Sequence, residues 1–129
     1  MKLLPFCLFI LSLFTSCSGA LTPEEHASLA AKGYYEHLAA GEYDAYLDGV
    51  NGMTDAPADY RLQQRIAAEQ FMKRLQQQHK GISSVEVSSA KTDSSLHCTN
   101  VFLLLCFGDS TKEEVCVPMV YKNGLFWMR

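Results

Sequence analysis

The sequence predicts an α+β domain in which three helices precede a four-stranded antiparallel meander. Three observations carry this prediction. The stretch Thr22-Pro23-Glu24-Glu25 is a compact helix start. After Gly81 the spacing of apolar residues changes from about 3.6 to about 2. Near the end of the chain, Asn123-Gly124 stands between two apolar stretches, which is a strong hairpin signal.

The helices are predicted from their caps and from their apolar spacing. The first helix runs over residues 23–40 and a short second helix over residues 42–47, with a turn-rich loop at residues 51–59. The third helix runs over residues 57–80 and stops at Gly81. Its predicted apolar row is Tyr60, Ala67, Phe71 and Leu75, with Leu62 and Ile66 beside it.

The strands are predicted from alternation and from the turns that separate them. The first strand carries Val85 and Val87 between polar residues, and the others cover residues 96–107, 115–122 and 125–129. The turns are TDSS, GDST and the Asn-Gly pair.

The turns also predict how the strands pair. The Asn-Gly turn pairs Lys122 with Leu125, so that Val120 faces Trp127 and Tyr121 faces Phe126 on the other side. A three-residue turn at residues 109–111 makes both sheet faces apolar. One face carries Val101, Leu103, Leu105, Phe107, Val117, Met119 and Tyr121; the other carries Val85, Val87, Phe102, Leu104, Cys106, Val120 and Trp127. We therefore expect the second face to be covered, by another copy of the sheet in a homodimer.

Composition places the chain among ordinary globular proteins. It has 129 residues, of which 48% are hydrophobic and 19% charged, so one domain is expected. The formal charge of -3 offers no basic patch for a phosphate backbone, which argues against a nucleic-acid partner.

The first sixteen residues differ from the rest of the chain. Lys2 is their only charge, and residues 3–14 are almost continuously apolar but too short to span a bilayer. This composition is typical of a signal peptide. Leu13-Phe14-Thr15-Ser16-Cys17 resembles the lipobox of bacterial lipoproteins, which are cut before a cysteine that then carries lipid. The alternative is an ordinary secretory signal cut near Ala20.

The lipoprotein resemblance implies a location. Residues 1–16 are then a signal peptide, Cys17 is the lipid attachment site and residues 17–22 form a short tether to a domain over residues 23–129. The partner so implied is a membrane, reached through the lipid on Cys17. No acidic cluster directly follows Cys17, and we expect an outer membrane position facing the periplasm.

The predicted element order resembles the nuclear transport factor 2-like superfamily, a cystatin-like roll in which helices close over a curved sheet. GYYEHLAAGEYDAYLDGV (residues 33–50) resembles the passage by which many members leave the first helix, and KNGLFWMR resembles their final hairpin. The resemblance covers residues 23–129 and implies a fold shared by isomerases, dehydratases, scaffolds and ligand binders. It does not choose among these functions.

Enzymes on this roll usually place an Asp or a His in the pocket. The resemblance therefore implies that the Asp and His residues of this sequence are the candidates for catalysis. The candidates are His26, His37, Asp44, Asp48, His79 and His97. His37 is the preferred candidate base because it shares the apolar row of the first helix with Tyr34. A histidine in such a row is more often a hydrogen-bonded boundary residue, and Asp44 and Asp48 suit a solvated helix face. We expect no catalytic residue.

The aromatic residues permit two interpretations. They either pack in the core or line a pocket for a small apolar ligand, with phenol oxygens as polar contacts. The ligand-binding candidates are Tyr34, His37, Tyr46, Phe71 and Trp127.

The cysteines that follow Cys17 are Cys98, Cys106 and Cys116. Cys98 and Cys106 are too far apart on one strand to bridge. A tight GDST turn pairs Cys106 with Glu114. A disulfide between Cys106 and Cys116 therefore requires a wider loop. The alternative is that these cysteines pack in the core as small apolar side chains. The sequence has no CxxC and no His at ligand spacing, so we expect no metal and no cofactor.

Three functions remain open at this point. The favoured one is a membrane-tethered, non-catalytic ligand-binding or accessory module. The others are an isomerase- or dehydratase-like enzyme with a pocket His, and a structural dimerisation domain that uses the second apolar face of the sheet.

Overall fold

The computed structural model describes residues 20–129, so the predicted signal peptide and Cys17 lie outside the described residues. The elements are α1 (Pro23–Ala39), α2 (Tyr43–Asp48), α3 (Ala58–His79), β1 (Ile82–Asp93), β2 (Cys98–Phe107), β3 (Lys112–Lys122) and β4 (Leu125–Met128). The strands form one antiparallel sheet in the order β1-β2-β3-β4. The predicted α+β class and element order are confirmed.

The predicted helix start is present at α1. The Thr22 hydroxyl accepts the N–H of Glu25 at 3.2 Å, and Pro23 occupies the first turn, where its missing N–H costs nothing. α1 ends at Ala39, and Gly41 with a φ of 77° turns the chain toward α2.

α3 differs from the prediction in its packing. It buries only Ala68 and Leu75, while Tyr60, Leu62 and Ile66 are exposed. The helix is mostly polar, so its few apolar residues cannot form a wide buried stripe. It also leaves the helical conformation at Lys80, with a φ of 61°, one residue before the predicted stop.

The core lies between the helices and one face of the sheet. Ala27 and Ala31 are fully buried, and their small side chains let α1 lie close to the strands. The strands contribute Val85, Val101, Leu103, Leu105, Phe107, Val117, Met119, Phe126 and Met128.

Register is confirmed at the last hairpin and shifted at the one before it. Lys122 pairs with Leu125 and Val120 with Trp127, as predicted. Cys106, however, pairs with Lys112 rather than Glu114. The turn occupies residues 108–110 because Ser110 adopts a φ of 70° and the N–H of Phe107 donates to the Thr111 carbonyl at 2.9 Å. A shift of two residues leaves every side chain on its predicted face.

The prediction for the first strand is wrong. Val85 pairs with Leu105 and Val87 with Leu103, so both lie on the helix side of the sheet. Bulges near residues 82–84 and 87–89 change the alternation, which sequence spacing does not reveal. The outer face is therefore more mixed than predicted: one of its rows is Glu86, Leu104 and Glu114.

The segment after α2 covers the β4 edge of the sheet. Val50 forms a parallel bridge with Met128, flanked by hydrogen bonds of 2.7 Å from Asn51 N to the Met128 carbonyl and from Met128 N to the Gly49 carbonyl. Gly49 is buried against the Tyr34 ring, and a Cβ at this position would overlap the ring. Only glycine permits this approach.

Candidate functional site

A cavity of about 670 Å³ lies where α1 begins. It is bounded by Leu21 and Pro23, by the turn between β1 and β2, and by the inner face of β3 and β4. This volume is in the range of small-molecule sites, which are usually concave, mostly apolar and supplied with a few polar groups.

The floor of the cavity is apolar because strand alternation turns large side chains toward the helices. Met119 is fully buried and Phe126 nearly so, and both lie on the inner face. Tyr121 lies at the same surface with its side chain largely exposed, and its ring centroid is 5.0 Å from that of Phe126. The floor can hold hydrocarbon or a ring.

A hydrogen-bonded chain connects the cavity wall to α1. The Thr92 hydroxyl donates to Glu24 Oε1 at 2.6 Å and lies 3.2 Å from the hydroxyl of the buried Thr99. Because Thr92 has one hydroxyl proton, the Thr99 hydroxyl is the donor of the second bond. The Thr92 bond lowers the pKa of the Glu24 carboxyl, which keeps it ionised at the rim.

The turn between β1 and β2 brings an aspartate and a histidine to the rim. Asp93 Oδ1 accepts hydrogen bonds from the Ser95 hydroxyl and from the N–H groups of Ser95 and Leu96. The Ser95 hydroxyl bond is the main cause of a lowered pKa of the Asp93 carboxyl. His97 follows in the left-handed region, with a φ of 51°, and His26 approaches from α1. The rim thus combines two imidazoles with ionised carboxylates.

The five ligand-binding candidates do not share one cavity. Tyr46 and Phe71 line a smaller crevice of about 230 Å³ between α2 and α3. The Tyr34 hydroxyl donates to the Phe126 carbonyl at 3.0 Å, and Trp127 lies on the outer face, where its indole N–H donates to the Lys122 carbonyl at 3.0 Å. Burial raises the pKa of Tyr46, whose ring packs edge-on against Tyr35.

The preferred catalytic candidate lies outside the large cavity. His37 is in the last turn of α1, with its Nδ1 3.2 Å from Glu42 Oε1, and the side chains of His37 and Glu42 are 45% and 60% exposed. An exposed pair of this kind is typical of a boundary histidine.

The remaining acidic and histidine candidates hold α3 in place. Asp44 and Asp48 are exposed, as predicted for a solvated helix face, and they also form surface ion pairs with arginines on α3. His79 stacks on Phe107 with ring centroids 4.5 Å apart, and its Nδ1 lies 2.9 Å from Asp109 Oδ2. Hydrogen bonds from Thr111 and His79 lower the pKa of Asp109 to about 2.

The predicted disulfide is wrong, since Cys98, Cys106 and Cys116 are free thiols. Cys116 pairs with Phe102, and Cys106 lies four residues farther along β2. At the rise of a strand this separation is about 13 Å, roughly twice the Cα distance a disulfide allows. Cys106 is buried, as the packing alternative predicted, whereas Cys116 is exposed.

Two kinds of feature are absent from the described part of the chain. Residues 20–129 contain no cluster of three metal-ligating side chains. None of the helices in this part of the chain is both long and apolar enough to cross a bilayer.

Several cavity residues were not among the sequence candidates for ligand binding, notably Leu21, Met119 and Phe126. Met119 was predicted on the helix-facing side of the sheet, and the last hairpin placed Phe126 opposite Tyr121. The cavity forms where the start of α1 approaches the turn between β1 and β2, and these segments are about 70 residues apart in the sequence. No local sequence pattern predicts that they lie together.

Comparison with known proteins identifies the fold. No protein-family model matches the sequence, and no similar sequence was found among curated proteins. A solved structure from Campylobacter jejuni, described as a candidate nuclear transport factor 2-like transpeptidase, superposes with a TM-score of 0.59 at 11% sequence identity. The match covers 76% of this chain and 92% of the other. Together with the helix order and the antiparallel sheet, this similarity shows that the chain has a nuclear transport factor 2-like fold.

Proposed function

We propose that this protein is exported and held at a membrane by lipid on Cys17, and that its domain binds a small apolar ligand without catalysing a reaction. The observation that carries the proposal is the position of the cavity. Leu21, which lines the cavity, comes four residues after Cys17. A lipid anchor on Cys17 would therefore keep the cavity close to the membrane surface.

The chemistry of the cavity favours binding over catalysis. General acid–base catalysis needs a base that is oriented by a partner and within reach of substrate. Within residues 20–129, neither His26 nor His97 is hydrogen-bonded to a side-chain carboxylate, and the main hydrogen bonds of Asp93 are made within its own turn.

The proposed location is the outer membrane, facing the periplasm. The residues after Cys17 are Ser18, Gly19 and Ala20, which carry no charge. A tether of this length holds the domain beside the lipid rather than letting it range through the periplasm.

Lipid attachment is tested by feeding a bacterial host a clickable fatty acid and expressing the full chain. The wild type should be labelled, whereas Cys17→Ser should lose the label and keep the precursor mass. Cys7→Ser is the matched control, since Cys7 lies inside the apolar stretch, and it should be labelled like the wild type. Label that survives in Cys17→Ser would contradict the proposed anchor.

Ligand binding is tested by native mass spectrometry of the full, lipidated chain released from detergent. We expect a reproducible additional mass beyond the covalent lipid. A chain that carries only its covalent lipid, in preparations from its own host, would argue against a bound ligand and in favour of an interaction module.

An enzyme is a second candidate, because His26, His97 and Asp93 line one cavity. An isomerase- or dehydratase-like reaction would use one of these histidines as the base. If a ligand-dependent activity is found, either His26→Ala or His97→Ala should abolish it, while His37→Ala should leave it unchanged. Activity that survives in both His26→Ala and His97→Ala would exclude this candidate.

A homodimer through the sheet is a further part of the proposal. The outer face carries Phe102, Leu104, Val120 and Trp127, all partly exposed. Sedimentation of the wild type and of Val120→Glu at micromolar concentration tests it. A dimer that Val120→Glu dissociates supports this interface, and a wild-type monomer contradicts it.

A further inference from the structure

A second apolar groove lies beside the large cavity. This groove, of about 450 Å³, is lined by Leu29 from α1 and by Val87 and Ala90 from β1. Leu21 lines both spaces. The two spaces adjoin at Leu21, beside the first turns of α1, so a flexible hydrocarbon chain that lies across Leu21 contacts both, whereas a compact ring occupies only one.

The rim of the two spaces carries carboxylates and imidazoles. Glu24, Glu25 and Asp93 are carboxylates, and His26 and His97 present imidazole N–H groups. A simple fatty acid would add a fourth carboxylate to these three, whereas a zwitterionic head places an ammonium near the carboxylates and a phosphate near the imidazoles.

We propose that the ligand is a single-chain zwitterionic membrane lipid of the lysophosphatidylethanolamine type. Its acyl chain lies on Met119, Phe126 and Leu21 and extends toward Val87, and its head lies at the rim. This inference rests on the proposed function, because residues 18–20 can hold Leu21 no farther than about 14 Å from Cys17 and so bring the groove to the source of such lipids.

The test uses the full, lipidated chain reconstituted into phosphatidylcholine vesicles. The vesicles contain a trace of lysophosphatidylethanolamine with a diazirine in its acyl chain, and cross-links are mapped by mass spectrometry after irradiation. We expect cross-links on the peptides that carry Leu21 and residues 119–126. Cross-links spread evenly over the surface would overturn the proposal.

The matched variants are Leu21→Glu and Leu62→Glu. Both leucines are exposed, but Leu62 lies on α3, from which neither groove takes a residue. Leu21→Glu should reduce cross-linking about tenfold, the effect of replacing an apolar contact by a carboxylate, while Leu62→Glu stays near wild type. Tyr121→Glu provides a second variant at the cavity. Equal yields from Leu21→Glu, Tyr121→Glu and Leu62→Glu would overturn the assignment.

A third comparison tests the lipid headgroup separately from the acyl chain. A fatty acid with the same diazirine chain should cross-link several-fold less than the lysophospholipid, and equal yields would overturn the zwitterionic assignment. A result that rules out the lipid is distinguishable from a result that rules out the proposed ligand-binding function. A different mass bound in native spectra, with no lipid cross-link in the cavity, would leave a ligand-binding module and remove the lipid.

Discussion

α1 and α3 are attached to the domain by different forces. α1 has 17 residues and packs Ala27, Ala31 and Leu38 into the core. α3 is longer, with 22 residues, yet buries only Ala68 and Leu75. Ion pairs hold its first turns to α2, and the stacked, hydrogen-bonded His79 holds its end.

The difference shows that the length of a helix does not set how much of it is buried. Small residues let α1 approach the sheet, and close approach excludes water from its whole inner face. The polar sequence of α3 leaves it only a narrow buried stripe around Ala68 and Leu75, so surface contacts at its two ends carry more of its attachment. α1 should therefore respond to changes in packing, and α3 to salt and pH.

The largest expected effect contrasts two leucines. Leu38 on α1 is 2% exposed and Leu62 on α3 is 55% exposed. Leu38→Ala should lower the free energy of unfolding by about 2–5 kcal/mol, because it leaves a cavity in the core. Leu62→Ala should change it by about 0.5 kcal/mol or less. Urea unfolding measures both, and similar losses would show that α3 is buried in solution.

Two glycines test the close packing around α1. Gly49→Ala puts a methyl group into the Tyr34 ring and should destabilise the domain by about 1–3 kcal/mol. Gly33 lies inside α1 with open space where its Cβ would be. Gly33→Ala should stabilise the domain by about 0.5–1 kcal/mol. Thermal unfolding should shift the two melting temperatures in opposite directions, and a shift in the same direction would contradict this packing.

Arg61 tests the attachment of α3. Its guanidinium donates to Asp48 Oδ1 at 2.8 Å and to the Asp44 carbonyl at 3.2 Å. Arg61→Ala should cost about 0.5–1 kcal/mol, with faster amide hydrogen exchange in α3 but not in α1. Raising the salt concentration of the wild type should act in the same direction. Arg74→Ala, exposed on the same helix, is the control and should leave exchange unchanged.

The smallest effect is a pH dependence at the other end of α3. The pKa of Asp109 falls from 3.8 to about 2 in the folded chain, through hydrogen bonds from Thr111 and His79. As the pH falls, the Asp109 carboxyl is therefore protonated in the unfolded chain before it is protonated in the folded chain. Its contribution to the free energy of unfolding is complete above pH about 4 and is lost as the pH falls toward 2. Asp109→Asn should flatten the acid limb of stability in this window. Asp55→Asn, in the exposed loop before α3, should not.

The parts of the fold that were predicted correctly are those with local causes. Thr22 and Pro23 specify a helix start within four residues, and Asn123-Gly124 specifies a tight turn whose register follows from geometry. The GDST turn was misplaced by one residue, since its position depends on the left-handed Ser110 and on the Asp109 side chain. The bulges of β1 depend on its partner strand, so Val85 and Val87 were put on the wrong face.

The candidate site was less predictable than the fold. Its floor could be inferred, because alternation places Met119 and Phe126 on the helix-facing side of the sheet. Its rim could not, because His26 and His97 come to line one cavity only when α1 reaches the turn between β1 and β2. Apolar spacing drew attention to His37 and Phe71 instead, although both lie outside this cavity.

The bridge between Val50 and Met128 bears on how copies of this chain can meet. An uncovered strand edge invites another strand to add to the sheet, which leads to aggregation. Here the segment through Val50 occupies the β4 edge, and the opposite edge belongs to β1, whose bulges interrupt a regular ladder. Growth by backbone pairing is therefore obstructed on both sides. Self-association of the folded chain must use side chains, which a point substitution can weaken without disturbing the sheet.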